Sequence, residues 1–492
     1  MLLLAGSSET HLVHRGAFQE LDAISLLTPH TKLAIRPPSL ESIPSIIQNA
    51  YRTSWYGRPG TGFVDLPADI IQGTIEDAED VQPTQIVPEG PKPGAEETVL
   101  FKVAQLLKSA QSPLVVIGKG AAYARAESSI RHLISNSRLP FLPTPMGKGV
   151  VPDSHPLNTA SARSTALAEA DVVLLLGARL NWILHFGDAP KWNPSAQFIQ
   201  VDISPETLGL NNPTPHLAIH GDLLTVVPQL ISALGTWHYN PAISPYTSHL
   251  SISRAKNLES AARKASQSTL PMTHARALST IESVLHRLSP PDEGRIVYIS
   301  EGANTMDISR SIFPVSHPRL RLDAGTHATM GVGPGYAIAA HCAYNTPSAS
   351  GKRKKIIALE GDSAFGFSAM EIETMSRYSM DILIFVLNNG GVYHGDSDSA
   401  DEWLKLQQTN GLRSTSLGFE VRYEKIAEAC GGVGISVRTP EELARATEAG
   451  FREGRVCIVN VIIEAGKGAK LEFGWQASGK EKGKGQKPEA KL

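Results

Sequence analysis

The chain has 492 residues, 41% hydrophobic and 19% charged, with 46 Lys and Arg against 48 Asp and Glu for a formal net charge of −2. That balance leaves no basic surface for a polyanion, so nucleic acid is not an expected partner, and no stretch reaches the ~20 uninterrupted apolar residues of a membrane helix. Cys342, Cys430 and Cys457 are far apart, odd in number and form no C-x-x-C pair, so neither a disulfide framework nor a zinc site is suggested, which fits a reducing compartment.

The opening Met1-Leu-Leu-Leu-Ala5 is too short and too weakly flanked for a signal segment and reads as a buried β-strand. Behind Ser39, an expected N-cap, the apolar residues Ile43, Ile46, Ile47, Ala50 and Tyr51 recur at helical spacing. Tyr56-Gly-Arg-Pro-Gly60 is turn chemistry, residues 63–66 form a short strand, and the acidic, proline-rich stretch 76–97 reads as a linker that ends a first block of residues 1–80. In a second block, 98–235, strands at 114–117, 172–176 and 198–201 alternate with helical patterns, as in a parallel α/β sheet. Gly118-Lys-Gly-Ala-Ala-Tyr123 and Gly177-Ala-Arg-Leu-Asn-Trp182 follow two of these strands, where open α/β sheets bind ligands, although Gly-Lys-Gly lacks the full G-x-G-x-x-G spacing. Residues 236–290 read as a connecting segment with a polar helix at 255–265. A third α/β block, 291–470, carries strands at 296–300, 356–360, 382–387 and 457–463, and the tail 474–492 is too polar to pack.

Chemistry concentrates in Leu359-Glu-Gly-Asp-Ser-Ala-Phe-Gly-Phe-Ser368 and Val386-Leu-Asn-Asn-Gly-Gly-Val-Tyr393. One buried strand delivers Gly361-Asp362, a helix follows over 369–378, and a second buried strand delivers Asn388-Asn389. Either dipeptide alone is turn chemistry. Together, on adjacent parallel strands, they place a carboxylate and an amide oxygen at one sheet edge, a donor set that suits Mg²⁺ sharing its shell with phosphates. The pair resembles the diphosphate motif of thiamine diphosphate enzymes. That resemblance implies that Asp362, Asn389 and the Gly391 carbonyl hold Mg²⁺, with Ser363 and Ala364 beside the diphosphate and Tyr393 near the cofactor.

The likeness is wider than one motif. Ser300-Glu-Gly-Ala-Asn-Thr-Met-Asp-Ile308, Arg321-Leu-Asp-Ala-Gly-Thr326, Thr329-Met-Gly-Val-Gly333 and Gly177-Ala-Arg-Leu-Asn-Trp182 resemble the group of peroxisomal 2-hydroxyacyl-CoA lyase and oxalyl-CoA decarboxylase, and similarity covers nearly the whole chain. The resemblance implies three parallel-sheet α/β domains: a C-terminal remnant of a pyrimidine-binding domain, a central Rossmann-like domain and a diphosphate-binding domain. It implies that Met330 is the apolar wedge that bends the cofactor, with Ala328 and Thr329 along the aminopyrimidine and Ala303, Asn304 and His274 as further contacts. Taken alone, Met330 reads as a core methionine. Arg58, Lys119, Arg179 and Asp202 match positions at which the oxalyl-CoA enzyme binds ADP. Ala160, Ser161, Ala162, Arg163 and Ser164, with Asn257 and Arg310, match contacts to acyl-CoA, and by themselves read as a helix start, a solvated helix face and a surface charge. Phe18 and Gln19 follow the lyase pattern, an uncharged Gln suiting a neutral hydroxyacyl group or aldehyde. His274 and His327 stand where the group carries aromatic residues, adding a titration near neutrality.

The implied activity is thiamine diphosphate- and Mg²⁺-dependent cleavage of 2-hydroxyacyl-CoA to formyl-CoA and an aldehyde, a step of fatty acid alpha-oxidation. The implied assembly is a homodimer or homotetramer in the peroxisome, recognised by the import receptor through Ala490-Lys491-Leu492, a variant of the Ser-Lys-Leu address. The group's activating glutamate, supplied by another subunit's first domain, has no counterpart. Glu9 and Glu20 are the nearest carboxylates and neither lies in a strand-to-helix context, so no catalytic residue is named and the sequence is expected to be truncated at its start. Oxalyl-CoA decarboxylase and a non-catalytic subunit pairing with a full-length partner are the alternatives.

Overall fold

The computed structural model describes residues 1–76, 81, 84–347 and 351–467. The tail expected over 474–492, with its Ala490-Lys491-Leu492 end, lies outside the described residues, as does part of the linker expected over 76–97. Among the described residues no helix is long and apolar enough to cross a membrane. The chain divides into two compact units, Met1–Pro93 with Ile203–Glu206, and Gly94–Asp202 with Thr207–Leu492.

In the first unit β1 (Leu2–Ser7), β2 (Leu33–Ile35) and β3 (Gly62–Pro67) form a parallel sheet in the order β1-β3-β2. The central β3 is buried, and its Asp65 carboxylate is held by Arg36 at 2.6 Å, as a buried charge requires. The helix Ile43–Trp55 packs on β3. Two expectations need correction here. The opening segment is a strand but not a buried one: Leu3 and Leu4 are 40% and 47% exposed, because β1 is an edge with a single hydrogen-bonded neighbour. Ser39 does not cap the helix, which begins after Ser42; the Ser42 hydroxyl donates to the Ser39 carbonyl at 2.6 Å, so both serines are spent on the turn before the helix.

The second unit holds two parallel sheets. The first, ordered β5-β4-β6-β7-β8, comprises β4 (Pro113–Ile117), β5 (Phe141–Pro143), β6 (Val172–Leu176), β7 (Gln197–Asp202) and β8 (Ala218–His220). Strands buried on both faces read as unbroken apolar runs, and the alternation sorts them: Val115, Ile117, Leu174 and Leu176 enter one core, Leu114, Val116, Val173 and Leu175 the other. The second sheet, ordered β10-β9-β11-β12-β14-β13, comprises β9 (Ile296–Glu301), β10 (Arg321–Asp323), β11 (Lys355–Gly361), β12 (Ile382–Asn388), β13 (Val433–Val437) and β14 (Cys457–Ile462). Within 236–290 the chain forms two helices, Tyr246–Ala265 and His274–Leu288. The second buries Leu278, Ile281 and Leu285 in the core of the six-stranded sheet.

Because β10 lies on one side of β9 and β11 on the other, the connections leaving β9 and β11 diverge and open a crevice at their carboxyl ends, the position where open α/β sheets bind ligands. Backbones also approach closely in the other sheet, where a Cβ on Gly118 would run into the Gly177 carbonyl. Gly118→Ala is therefore expected to cost ~2–3 kcal/mol by overpacking. Gly335→Ala, in the helix Gly333–Asn345 where a Cβ meets nothing within 4 Å, is expected to be neutral or slightly stabilising. Urea denaturation of the two variants checks the difference; equal losses would show that the close approach is not limiting.

Candidate active site

The register of three neighbouring strands sets the site. Glu360 pairs with Glu301 across β11 and β9, and Gly361 pairs with Leu387 across β11 and β12, so the chain turns at Gly302, Asp362 and Asn389 emerge along one edge. Gly302 turns with φ +83°, and a Cβ there would come within 3.1 Å of the Gly361 nitrogen, so glycine lets these two turns pack together. Helices start immediately afterwards, Ala303–Ile312 and the short Asp362–Gly366, so backbone N–H groups collect at the edge, where anions are favoured.

Asp362 is buried, 1% exposed, and its carboxylate accepts from the Ser363 N–H at 2.7 Å and the Gly390 N–H at 2.8 Å. Burial pushes this carboxyl up to about 7, against those backbone donors, which lower it. A cation beside it would restore the charged form. Asn389 donates its amide N–H to the Tyr393 carbonyl at 3.0 Å, leaving its amide oxygen as the atom able to meet a cation. Asn304 donates to the same carbonyl at 2.7 Å, so the turn after β9 is tied to the loop after β12. Asn388, by contrast, faces Val421 and Asn460. Among the described residues no cluster of three or more His, Cys, Asp or Glu could hold a metal. A cation at this edge would thus combine one carboxylate with amide and carbonyl oxygens, a hard donor set that fits Mg²⁺ and phosphate oxygens.

Residues 301–461 match the family description "Thiamine pyrophosphate enzyme, C-terminal TPP binding domain", and residues 100–230 match "Thiamine pyrophosphate enzyme, central domain". The chain belongs to the thiamine pyrophosphate enzymes. It is 41% identical to 2-hydroxyacyl-CoA lyase 1 of Homo sapiens over 96% of this chain and 81% of that protein. To 2-hydroxyacyl-CoA lyase of Saccharomyces cerevisiae it is 39% identical over 97% and 82%, and to oxalyl-CoA decarboxylase of Escherichia coli 37% over 96% and 80%. These likenesses place it among the lyases and decarboxylases of the family, with thiamine pyrophosphate as cofactor.

In this thiamine pyrophosphate enzyme the remaining expected residues fall into separate groups. Ser363 and Ala364 lie in the first turn after β11, and Tyr393 sits in the loop after β12 with φ +67°. Ala328, Thr329 and Met330 form the turn before the helix Gly333–Asn345; Met330 is partly exposed and outside the hydrophobic core. His274 opens its helix, beside Met272, which bridges to Ile463 after β14, and His327 is exposed. Ala160, Ser161 and Ala162 form a single turn leading into the helix Arg163–Glu169, which also contains Ser164, and Asn257 donates to the Ser161 carbonyl at 2.7 Å. Arg163 donates to the Ile183 carbonyl at 2.6 Å and contacts His185 at 3.1 Å. Arg310 is not a loose surface charge: it grips Asp323 through two bonds, of 2.7 and 3.0 Å, and also pairs with Asp307. Lys119, Arg179 and Asp202 lie at the carboxyl ends of the adjacent strands β4, β6 and β7. Phe18, Gln19 and Arg58 belong to the first unit, where Phe18 is 87% exposed. Glu20 accepts from the backbone of His14, Gly16 and Ala17, which makes it a turn-holding carboxylate.

Two residues escaped the sequence reading as individuals. Glu301 and Glu360 are register partners and both 0% exposed. Burial, then the adjacent Glu301 charge, holds the Glu360 carboxyl well above the usual range. The signal was present as two Glu-Gly dipeptides, each at the end of a buried strand.

Burial pushes the His274 imidazole down to about 4, against ~6.5 in an unfolded chain. Between these values the unfolded state binds the proton more readily, so stability falls as pH drops from about 6.5 toward 4. His274→Phe is expected to remove about 3 kcal/mol of that acid loss, measured by denaturant unfolding across this range. An unchanged slope in the variant would mean that other groups carry it.

Proposed function

We propose that this chain is a Mg²⁺-dependent carbon–carbon lyase that cleaves a 2-hydroxyacyl-CoA into formyl-CoA and an aldehyde. The observation that carries the reading is the buried Asp362 carboxyl beside the Asn389–Gly391 loop, in a chain 41% identical to a 2-hydroxyacyl-CoA lyase. Asp362, the Asn389 amide oxygen and the Gly391 carbonyl are the proposed Mg²⁺ ligands. Ala303, Asn304, Ser363 and Ala364 are assigned to the diphosphate, and Tyr393, Ala328, Thr329, Met330 and His274 to the rings of the cofactor. When bound, thiamine diphosphate supplies the carbon nucleophile that the cleavage needs.

The chain's own contribution is placement. Arg163 brings positive charge suited to the phosphates of the CoA moiety. Arg310, whose charge is met by Asp323 and Asp307, is assigned to the acyl-CoA through the resemblance alone, and Asn257 steadies the turn of Ala160, Ser161 and Ala162 ahead of Ser164. Phe18 and Gln19 are assigned to the acyl group through the resemblance, and no carboxylate is assigned the cofactor-activating role. Lys119, Arg179 and Asp202 are proposed to bind ADP: two cations and a carboxylate suit phosphates and a ribose hydroxyl. A homodimer or homotetramer is the proposed assembly. Import into the peroxisome is proposed from the resemblance to the 2-hydroxyacyl-CoA lyases.

The 37% identity to oxalyl-CoA decarboxylase favours a second reading, loss of CO₂ from oxalyl-CoA. Incubation of the full chain with thiamine diphosphate, Mg²⁺ and each thioester separates them: aldehyde and formyl-CoA from the hydroxyacyl substrate support the first, and CO₂ from oxalyl-CoA alone supports the second. Cofactor retention without either product would indicate a non-catalytic subunit. Asp362→Asn is expected to weaken Mg²⁺-dependent cofactor binding by ~2–4 kcal/mol, since one partner of a buried charge pair is lost. The cofactor-free variant should unfold no earlier than the parent, because a buried carboxyl has been replaced by a neutral amide. Calorimetric titration and thermal unfolding check both halves; cofactor binding at parental strength would remove Asp362 from the site.

A further inference from the structure

Glu301 ends β9, and its side chain reaches the turn that follows Met330. One carboxylate oxygen accepts from the Gly331 N–H and the other from the Gly333 N–H, so a single side chain grips both ends of a three-residue segment. The Val332 carbonyl within it also accepts from the Tyr336 N–H at 2.8 Å, in the first turn of the helix. Ala328 and Gly331 both adopt positive φ, +48° and +86°, the Ala328 N–H meets the Gly325 carbonyl at 3.3 Å, and the Ser368 hydroxyl donates to the Gly331 carbonyl at 2.9 Å. Charge-assisted bonds are about twice as strong as neutral ones, so the Glu301 pair dominates. An ordinary helix cap comes from the residue just before the helix, whereas this carboxylate comes from a neighbouring strand and ties the turn to the sheet.

Glu360 closes the other side. Its carboxyl is fully buried and adjoins Gly333 so closely that a Cβ on that glycine would run into it. The backbone of the turn is therefore pressed against two carboxyl groups at the carboxyl ends of β9 and β11, the same ends that lead into Gly302 and Asp362.

We propose that Glu301 is a positioning residue for the cofactor: by holding the Gly331 and Gly333 amides it fixes the Ala328–Thr329–Met330 turn in the shape that supports the bent thiamine diphosphate. The inference rests on the functional reading given above for that turn. It goes beyond that reading by naming the group that sets the turn's geometry before any cofactor binds.

The test uses the full chain and Glu301→Gln, whose amide can accept one of the two N–H groups but opposes the other. Hydrogen exchange of the cofactor-free protein should show Gly331 and Gly333 protected in the parent and exchanging at least tenfold faster in the variant, with the β9 and β11 amides unchanged. Thiamine diphosphate with Mg²⁺ should then bind the variant at least tenfold more weakly, and the near-ultraviolet circular dichroism of the bound cofactor should change. In a turnover assay kcat should fall while KM for the thioester holds. A merely structural Glu301 would lower the unfolding temperature and leave the dichroism of the bound cofactor unaltered, which would overturn the proposal. Should the variant fail to fold, the parent alone decides: unprotected Gly331 and Gly333 amides in folded protein also overturn it. A parent chain that takes up no thiamine diphosphate, yet protects these amides, overturns the functional reading and the cofactor role with it while leaving the latch itself in place.

Discussion

The arrangement depends on one constraint, the in-register pairing of β9, β11 and β12. These strands are parallel and covered on both faces, so almost every position along them must be apolar. Polar chemistry is thereby driven to the ends of the strands. Because the strands end in step, Gly302, Asp362 and Asn389 reach the same edge without any long-range loop to bring them there. The crevice opened by the change of strand order then gives that edge room for a ligand.

The same economy governs the charges that do enter the interior of the second unit. Lys148 pairs with Asp153 at 2.7 Å and donates to the Arg310 carbonyl at 2.9 Å, while Arg310 grips Asp323. Arg319 pairs with Glu127 at 2.8 Å, and the Trp182 ring donates to the Thr326 carbonyl at 2.6 Å. Of these, the Lys148–Arg310, Arg319–Glu127 and Trp182–Thr326 bonds join residues of the five-stranded part to residues of the six-stranded part. A buried ion pair adds little net stability over an apolar contact, but removing one partner leaves an uncompensated charge, so such pairs define how the two sheets meet. Arg321 shows what this costs. It is buried completely, its guanidinium reaches Ser300 and Ser309, and burial lowers it to about 10.

Much of this was legible in the amino-acid sequence because buried parallel strands announce themselves. The runs that became β4, β6 and β12 are apolar almost throughout, that of β9 is apolar up to Ser300 and Glu301, that of β11 is apolar between Lys355 and Glu360, and that of β14 is broken only by Asn460. The Asp362 and Asn389 edge could be placed from β11 and β12. The short strands β2, β5, β8 and β10 were not legible. Three residues are too few to show a period, and β10 begins with the charged Arg321 and ends with Asp323. The exposed β1 was misjudged since an apolar run does not reveal whether it lies at a sheet edge. Glu301 and Glu360 were read as parts of motifs, because a carboxylate that serves backbone amides leaves no periodic trace.

The carbonyl of Tyr393, shared by the Asn304 and Asn389 amides, has a thermodynamic meaning beyond holding two segments together. Each amide is steadied by an acceptor whose position the other helps to fix. A shift of the Tyr393 backbone weakens both bonds at once, so the turn after β9 and the loop after β12 loosen or hold as one unit rather than as independent segments.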